Sequence, residues 1–258
     1  MCRLCYGFAN EGERLGVTPL LHMTVRTTCE TASVNGLLLV DKPVGLTSHD
    51  VVDVVRRAYG ERSIGHLGTL DPFATGLLVL LLGRSTRLAS FIDNEPKMYE
   101  ATICFGAETD SSDCTGAVLR EAPVPSLDQI SRSIPVLTGE IQQIPPEYSA
   151  KKIAGVRAYE RARHGQVVEL PPVSVYVHEW RVRAVRPSEI DVTIVCGGGT
   201  YIRALARDLG RLVGSAAHLT QLRRTRSGGF DVRDAATLDV IRSASPPPVR
   251  QLRVAVAE

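Results

Sequence analysis

The stretch "GHLGTLDPFATG" at residues 65–76 sets one carboxylate, Asp71, among three glycines, a histidine and a proline, just ahead of the apolar run Leu77–Leu82. Pro72 disfavours the α region for the residue before it, so Asp71 is expected to be extended. Gly65, Gly68 and Gly76 allow backbone shapes and close approaches that a Cβ would forbid. A carboxylate in such a loop, anchored to a strand of the core, can act as a nucleophile, a base or a metal ligand. The loop holds no second Asp or Glu, and the chain has neither an HExxH nor a His-x-His pattern, so a metal site is not favoured. A Walker lysine motif and a G-x-G-x-x-G fingerprint are missing too. Glycosidase chemistry calls for a second catalytic carboxylate, and none can be singled out.

The elements that must position this loop belong to an ordinary globular chain of 258 residues, 44% hydrophobic and 22% charged. The longest apolar run falls well short of the roughly 20 residues of a membrane helix. The first 22 residues contain no apolar signal-peptide core. Of six cysteines only Cys2 and Cys5 have ligand spacing, without the second pair a zinc site needs, so reduced cytoplasmic thiols are expected. The net charge of +2 hides an asymmetry. Residues 1–150 carry 12 Lys/Arg against 18 Asp/Glu, and residues 151–258 carry 18 against 10. A basic half suggests a polyanionic partner, RNA or DNA, without establishing one.

Residues 1–34 read as an extension, with Met23 a candidate start. Order is expected to begin with a strand at Gly36–Val40, then a helix over "TSHDVVDVVRRAYG" with Ser48 as N-cap and Gly60 closing it. The strand Leu77–Leu82, a helix around Thr86–Asp93, the strand Tyr99–Gly106 and a helix Leu127–Leu137 follow. "VRAYERARHG" reads as a short helix ending at Gly165. Alternation at Val173–His178 and Ile190–Ile194 indicates half-buried, antiparallel strands. A last helix, Tyr201–Val213, shows a buried face of Ile202, Leu205, Leu209 and Leu212, and "PPP" at 246–248 marks the end of the compact part. The pattern is α+β, without regular βαβ alternation. Arg203 falls in the first turn of the last helix, where the macrodipole disfavours a cation by a few tenths of a kcal/mol. By pattern alone it is a surface arginine like Arg207 and Arg211.

Six stretches in family order resemble the TruB-type tRNA pseudouridine synthases, which isomerise uridine-55 in the T loop: "NGLLLVDKPVGLTSHDVV", "GHLGTLDPFATG", "KMYEATICFGAETDSSDCTG", "IPPEYSAKKIAGVRAYERARHG", "GGGTYIRALARDLG" and "AHLTQLRRTRSG". The resemblance runs from about Asn35 to Leu238. It implies the pseudouridine synthase fold, a mixed, largely antiparallel sheet flanked by helices with a central active-site cleft. It implies a catalytic domain at 35–243, a basic RNA-gripping insertion at 145–172 and a C-terminal tail at 244–258. The family's aspartate nucleophile falls on Asp71 and its partner arginine on Arg203. Tyr99 takes the place of the tyrosine that lies against the uracil. Tyr201 and Leu222 match further pocket positions, and His66 a histidine that holds the rearranged T loop.

The isomerisation is redox-neutral, so no cofactor and no metal are expected. The target base lies inside a folded loop and must be flipped out. Lys151, Lys152, Arg157, Arg161 and Arg163 are expected to grip the RNA backbone, with Arg223, Arg224 and Arg226 nearby. The acidic loop Asp110–Asp113 reads equally as a structural turn. A cytoplasmic monomer acting on the tRNA T stem-loop is expected, with no membrane association. Many bacterial members carry a C-terminal PUA domain, for which a chain ending at Glu258 is expected to leave no room. Two other readings stay open: a tRNA-binding or tRNA-folding module without chemistry, and an aspartate-nucleophile glycosidase.

Overall fold

A computed structural model describes residues 34–146, 152–153, 156–157, 170–243 and 245–251. Strand β1 (Gly36–Lys42) leads through a loop into helix α1 (Ser48–Tyr59), followed by β2 (Ile64–His66) and β3 (Thr75–Leu82). β1 and β3 pair antiparallel, with Leu38 opposite Leu80. Both are buried on both faces: Leu38, Val40, Leu78 and Leu80 join the main core, while Leu37, Leu39, Leu77, Val79 and Leu81 form a second cluster behind the sheet. That is why their sequences are continuous apolar runs with no alternation.

Next come β4 (Lys97–Phe105), the hairpin β5 (Ala107–Thr109) and β6 (Val118–Glu121), helix α2 (Leu127–Ser133) and β7 (Gly139–Gln143). Two short paired strands, β8 (Lys152–Ile153) and β9 (Val156–Arg157), precede β10 (Val173–Val185) and β11 (Glu189–Cys196). The chain continues with helix α3 (Ile202–Leu212), β12 (Ala217–Ser227), β13 (Phe230–Asp231), β14 (Ala236–Thr237) and helix α4 (Leu238–Arg242). The main sheet has the order β14-β1-β3-β12-β4-β11-β10-β7, with β2 and β13 attached to β3 and β12. Its pairs are antiparallel except β1–β14 and β12–β3. The sheet is therefore mixed and largely antiparallel, and the α+β expectation holds. No helix among the described residues is long and apolar enough to cross a membrane.

Several local expectations are corrected. The N-cap of α1 is Thr47, which forms a capping box with Asp50; Ser48 is the first helical residue and is buried. Residues Gly83–Phe91 form a 3₁₀ helix, and Thr86 Oγ1 donates 2.8 Å back to the Gly83 carbonyl, a local bond that competes with α-helical pairing. The helix expected over Leu127–Leu137 stops at Ser133 and continues as a 3₁₀ turn, Ile134–Leu137, because Pro135 has no N–H to donate.

Val156 and Arg157 are in a strand, so no helix starts there; residues 158–165 lie outside the described residues. Leu212 is 45% exposed, and the buried side of α3 takes in Arg203 and Arg207 instead. The helix lies so close on β12 that a Cβ at Gly210 would come 2.6 Å from the Ala217 nitrogen. The compact part does not end at the prolines. Tyr59 Oη donates 2.5 Å to the Pro247 carbonyl, and Arg250 exchanges backbone hydrogen bonds of 2.8 Å with Leu37.

Candidate active site

The loop between β2 and β3 is pinned at nearly every residue. Leu67 N donates to the Val79 carbonyl at 2.9 Å, and the buried Ser48 Oγ both accepts from Leu70 N (2.9 Å) and donates to Leu70 O (3.1 Å). Gly45 N donates to Pro72 O at 2.8 Å, and Ala74 N to Asp71 O at 3.1 Å. Lys42, fully buried at the end of β1, donates from Nζ to the carbonyls of Leu46 (2.7 Å), Pro43 (3.0 Å) and Pro72 (3.4 Å). Burial brings the Lys42 ammonium down to about 8, against the pull of Asp71. Where the loop enters β3, Gly76 has φ +99°, and a Cβ there would come 2.3 Å from the Arg224 carbonyl of β12. Only glycine allows the two strands to meet there.

Arg224 corrects an expectation. It is 1% exposed, and its guanidinium donates to the carbonyls of Leu77 (2.8 Å), Gly68 (3.1 Å) and Thr69 (3.4 Å). It borders the Asp71 cavity with its guanidinium committed to the carboxylate loop and β3, so it is no part of an exposed RNA-gripping surface. The reason is the period of the strand: Arg224 shares an inward face with Leu222. Arg223 points the other way and makes a two-pronged pair with Asp41 (2.7 and 3.0 Å) while staying 38% exposed.

The tertiary fold brings Arg203 to Asp71. Nη2 donates 3.1 Å to Oδ1 and Nε lies 2.9 Å from Oδ2, an ion pair across 132 positions of sequence. Arg203 is 5% exposed in its side chain, whereas Asp71 keeps 34%, so the carboxylate is the member that faces the opening. Nη1 turns to the acidic loop, donating 2.9 Å to the Ser111 carbonyl and standing 3.4 Å from Asp113 Oδ2. Asp113 is itself buried, and its Oδ1 accepts from Ser111 Oγ (2.7 Å), Thr115 N (2.9 Å) and Thr115 Oγ1 (2.5 Å). Leu219 N of β12 ties that loop down at the Ser112 carbonyl, 3.1 Å away. Burial pushes the Asp71 carboxyl above its ordinary value; Arg203 opposes this, and the Asp113 charge adds to it. The charge cost of placing Arg203 in a first helical turn is thus offset by two carboxylates.

Asp71 and Arg203 open into a cavity of about 240 Å³, whose walls include Lys97, Tyr99, Tyr201 and Leu222. This is below the roughly 300–1,000 Å³ of sites for drug-sized ligands. Tyr99 and Leu222 are each 7% exposed, and burial pushes the Tyr99 hydroxyl up, opposed by Arg224 beside it. Tyr201 precedes α3 and is gripped through its backbone: Gln143, fully buried at the end of β7, accepts from Tyr201 N at 2.8 Å and donates to Tyr201 O at 3.0 Å. Arg207, one turn after Arg203, donates 2.8 Å to the Ile144 carbonyl. Four expected residues, Tyr99, Tyr201, Arg203 and Leu222, therefore surround Asp71. His66 lies on β2, outside the cavity walls; partial desolvation of its ring and then Arg224 lower its imidazole pKa. Lys152 and Arg157 are cross-strand partners in the β8–β9 hairpin; Lys151 lies outside the described residues.

The family model "TruB family pseudouridylate synthase (N terminal domain)" matches residues 56–202, more than half of the chain. The chain belongs to the TruB family. A second TruB model, "tRNA pseudouridylate synthase B C-terminal domain", matches residues 203–246. The Asp71–Arg203 pair therefore joins the two matched regions. Among TruB relatives, the tRNA pseudouridine synthase B of Thermobifida fusca (strain YX) is 47% identical over 80% of this chain and 73% of its own length. That of Leifsonia xyli subsp. xyli (strain CTCB07) is 49% identical over 82% and 73%. A crystal structure of a Cbf5-Nop10-Gar1 complex contains a chain similar to this one, with a TM-score of 0.62 and 29% identity over 80% of this chain. This chain spans 53% of that solved chain's length.

Sequence reasoning missed Asp113, Ser111, Lys42 and Gln143. All four lie inside or beside the resembling stretches, but nothing local in the sequence marks Arg203 as buried, so no signal pointed from it to Asp113.

Proposed function

We propose that the protein isomerises uridine-55 in the T loop of tRNA to pseudouridine, with Asp71 as the reacting group. The observation that carries the reading is the partly exposed Asp71 carboxylate, oriented by a buried arginine, at a cavity walled by Tyr99 and Leu222. The C1′–N1 bond breaks, the uracil turns, C1′ joins C5, the C5 proton leaves and N1 gains one, so no electrons are exchanged with an outside group. An ionised carboxylate can begin this by adding to C1′, adding to the uracil ring or removing a ribose proton. A base inside the T loop reaches Asp71 only when flipped, and Tyr99 supplies the face it lies against. Tyr201 and Leu222 border the same base, and His66 meets the rearranged loop outside the cavity. Lys151, Lys152, Arg157 and the exposed side of Arg223 attract the RNA backbone. We read the enzyme as a monomer in the cytoplasm, where tRNA is found.

The test is incubation with an unmodified T stem-loop RNA and mapping of the modified position. Pseudouridine at the position of uridine-55, lost in Asp71→Ala while RNA binding persists, supports the reading. Release of free uracil would instead identify a glycosidase, and binding without product from the wild type would identify a tRNA-binding module.

A further inference from the structure

Lys97 opens β4 and lines the cavity that holds Asp71. Its ammonium lies against the carboxylate loop, 3.8 Å from the point a Cβ on Gly68 would occupy, with Arg224 Nη1 3.5 Å from that same point. Two cations thus approach one glycine. They differ in what satisfies them. Arg224 donates to three carbonyls. Among the described residues Lys97 makes no hydrogen bond and no ion pair within 4 Å, although Glu95 attracts it from a distance. The other cations near Asp71 are committed, Arg203 in the cavity wall to Asp71 and Asp113, and Lys42, outside that wall, to backbone carbonyls. A partly buried ammonium beside a buried guanidinium is unfavourable until an anion arrives. The anion the proposed reaction brings is the phosphodiester next to the flipped nucleotide.

We infer that Lys97 is a phosphate-binding residue of the catalytic cavity, gripping a backbone phosphate that flanks the target uridine. Resting on the function proposed above, this assigns Lys97 a part in holding the everted nucleotide while Asp71 reacts. A lysine suits the task because it acts as a point charge with three rotatable donors and needs no fixed bidentate partner.

Two stem-loop RNAs test this, each with one neutral methylphosphonate linkage, either 5′ or 3′ of the target uridine. The wild-type protein should bind one of them about tenfold more weakly than the unmodified RNA, the loss of one charge-assisted hydrogen bond. Lys97→Gln should bind the unmodified RNA about tenfold more weakly, with a salt slope smaller by about one phosphate contact. It should lose nothing further on the methylphosphonate RNA that wild type discriminates against. Equal wild-type binding of all three RNAs, an arm that needs no variant, would overturn the inference. So would losses that multiply when Lys97→Gln meets that RNA. A wild type that makes no pseudouridine would overturn the parent reading instead, and the inference with it.

Discussion

Asp113 stands 3.4 Å from Nη1 of Arg203, while Asp71 occupies the Nε–Nη2 edge of the same guanidinium. One buried cation is held between two carboxylates, and only Asp71 keeps an opening to the cavity. Asp113→Asn should leave Asp71 and Arg203 paired but loosely aimed, lowering kcat by on the order of tenfold to a hundredfold. It should also move the acid limb of the rate profile to lower pH, because burial and then the Asp113 charge raise the Asp71 carboxyl, and one of those causes is removed. Single-turnover rates measured across acid pH check both. An acid limb that stays in place would mean Asp113 has no electrostatic hold on Asp71.

Arg224→Met should behave as a folding and positioning defect. Three carbonyls of the carboxylate loop and β3 would lose a donor that no water can easily replace, at a cost of about 3 kcal/mol. Urea unfolding should show that loss, and pseudouridine formation should drop. The salt slope of RNA binding should stay at the wild-type value, since a buried guanidinium neutralises no phosphate.

Lys42 makes stability depend on alkaline pH. Its folded pKa, about 8, lies below the ordinary 10.5, so above pH 8 the unfolded chain holds a proton that the folded chain has released. Stability from this group therefore rises with pH between about 8 and 10.5, by up to roughly 3 kcal/mol. Urea unfolding of wild type and Lys42→Met at pH 7.5, 9 and 10 should show the gap between them shifting in favour of wild type as pH increases.

Gln143 answers both backbone groups of Tyr201 at 2.8 and 3.0 Å, at the end of β7. Gln143→Leu should leave the Tyr201 N–H and carbonyl unpaired and loosen the start of α3. The expected result is a fall in kcat of about tenfold, with RNA affinity changed much less. Gln143→Glu keeps the acceptor for Tyr201 N and should fall between the two.

What the sequence by itself determined is set by local rules. Proline and glycines around Asp71, the apolar runs of β1 and β3, and the Gly60 cap act over a few residues, so their outcome is visible in the chain. Resembling stretches further marked Tyr99, Tyr201, Arg203 and Leu222 as neighbours of Asp71. Tertiary structure alone decided which partners Arg223 and Arg224 meet. Within "QLRRTRS", Arg223 and Arg224 are chemically identical, yet strand alternation sends the first to Asp41 at the surface and buries the second under the carboxylate loop. The acidic turn at Asp110–Asp113 is indistinguishable from a solvated loop until β12 and α3 carry Arg203 onto it. Electrostatic partners separated by tens of residues are chosen by packing, and packing is settled only when the whole sheet has closed.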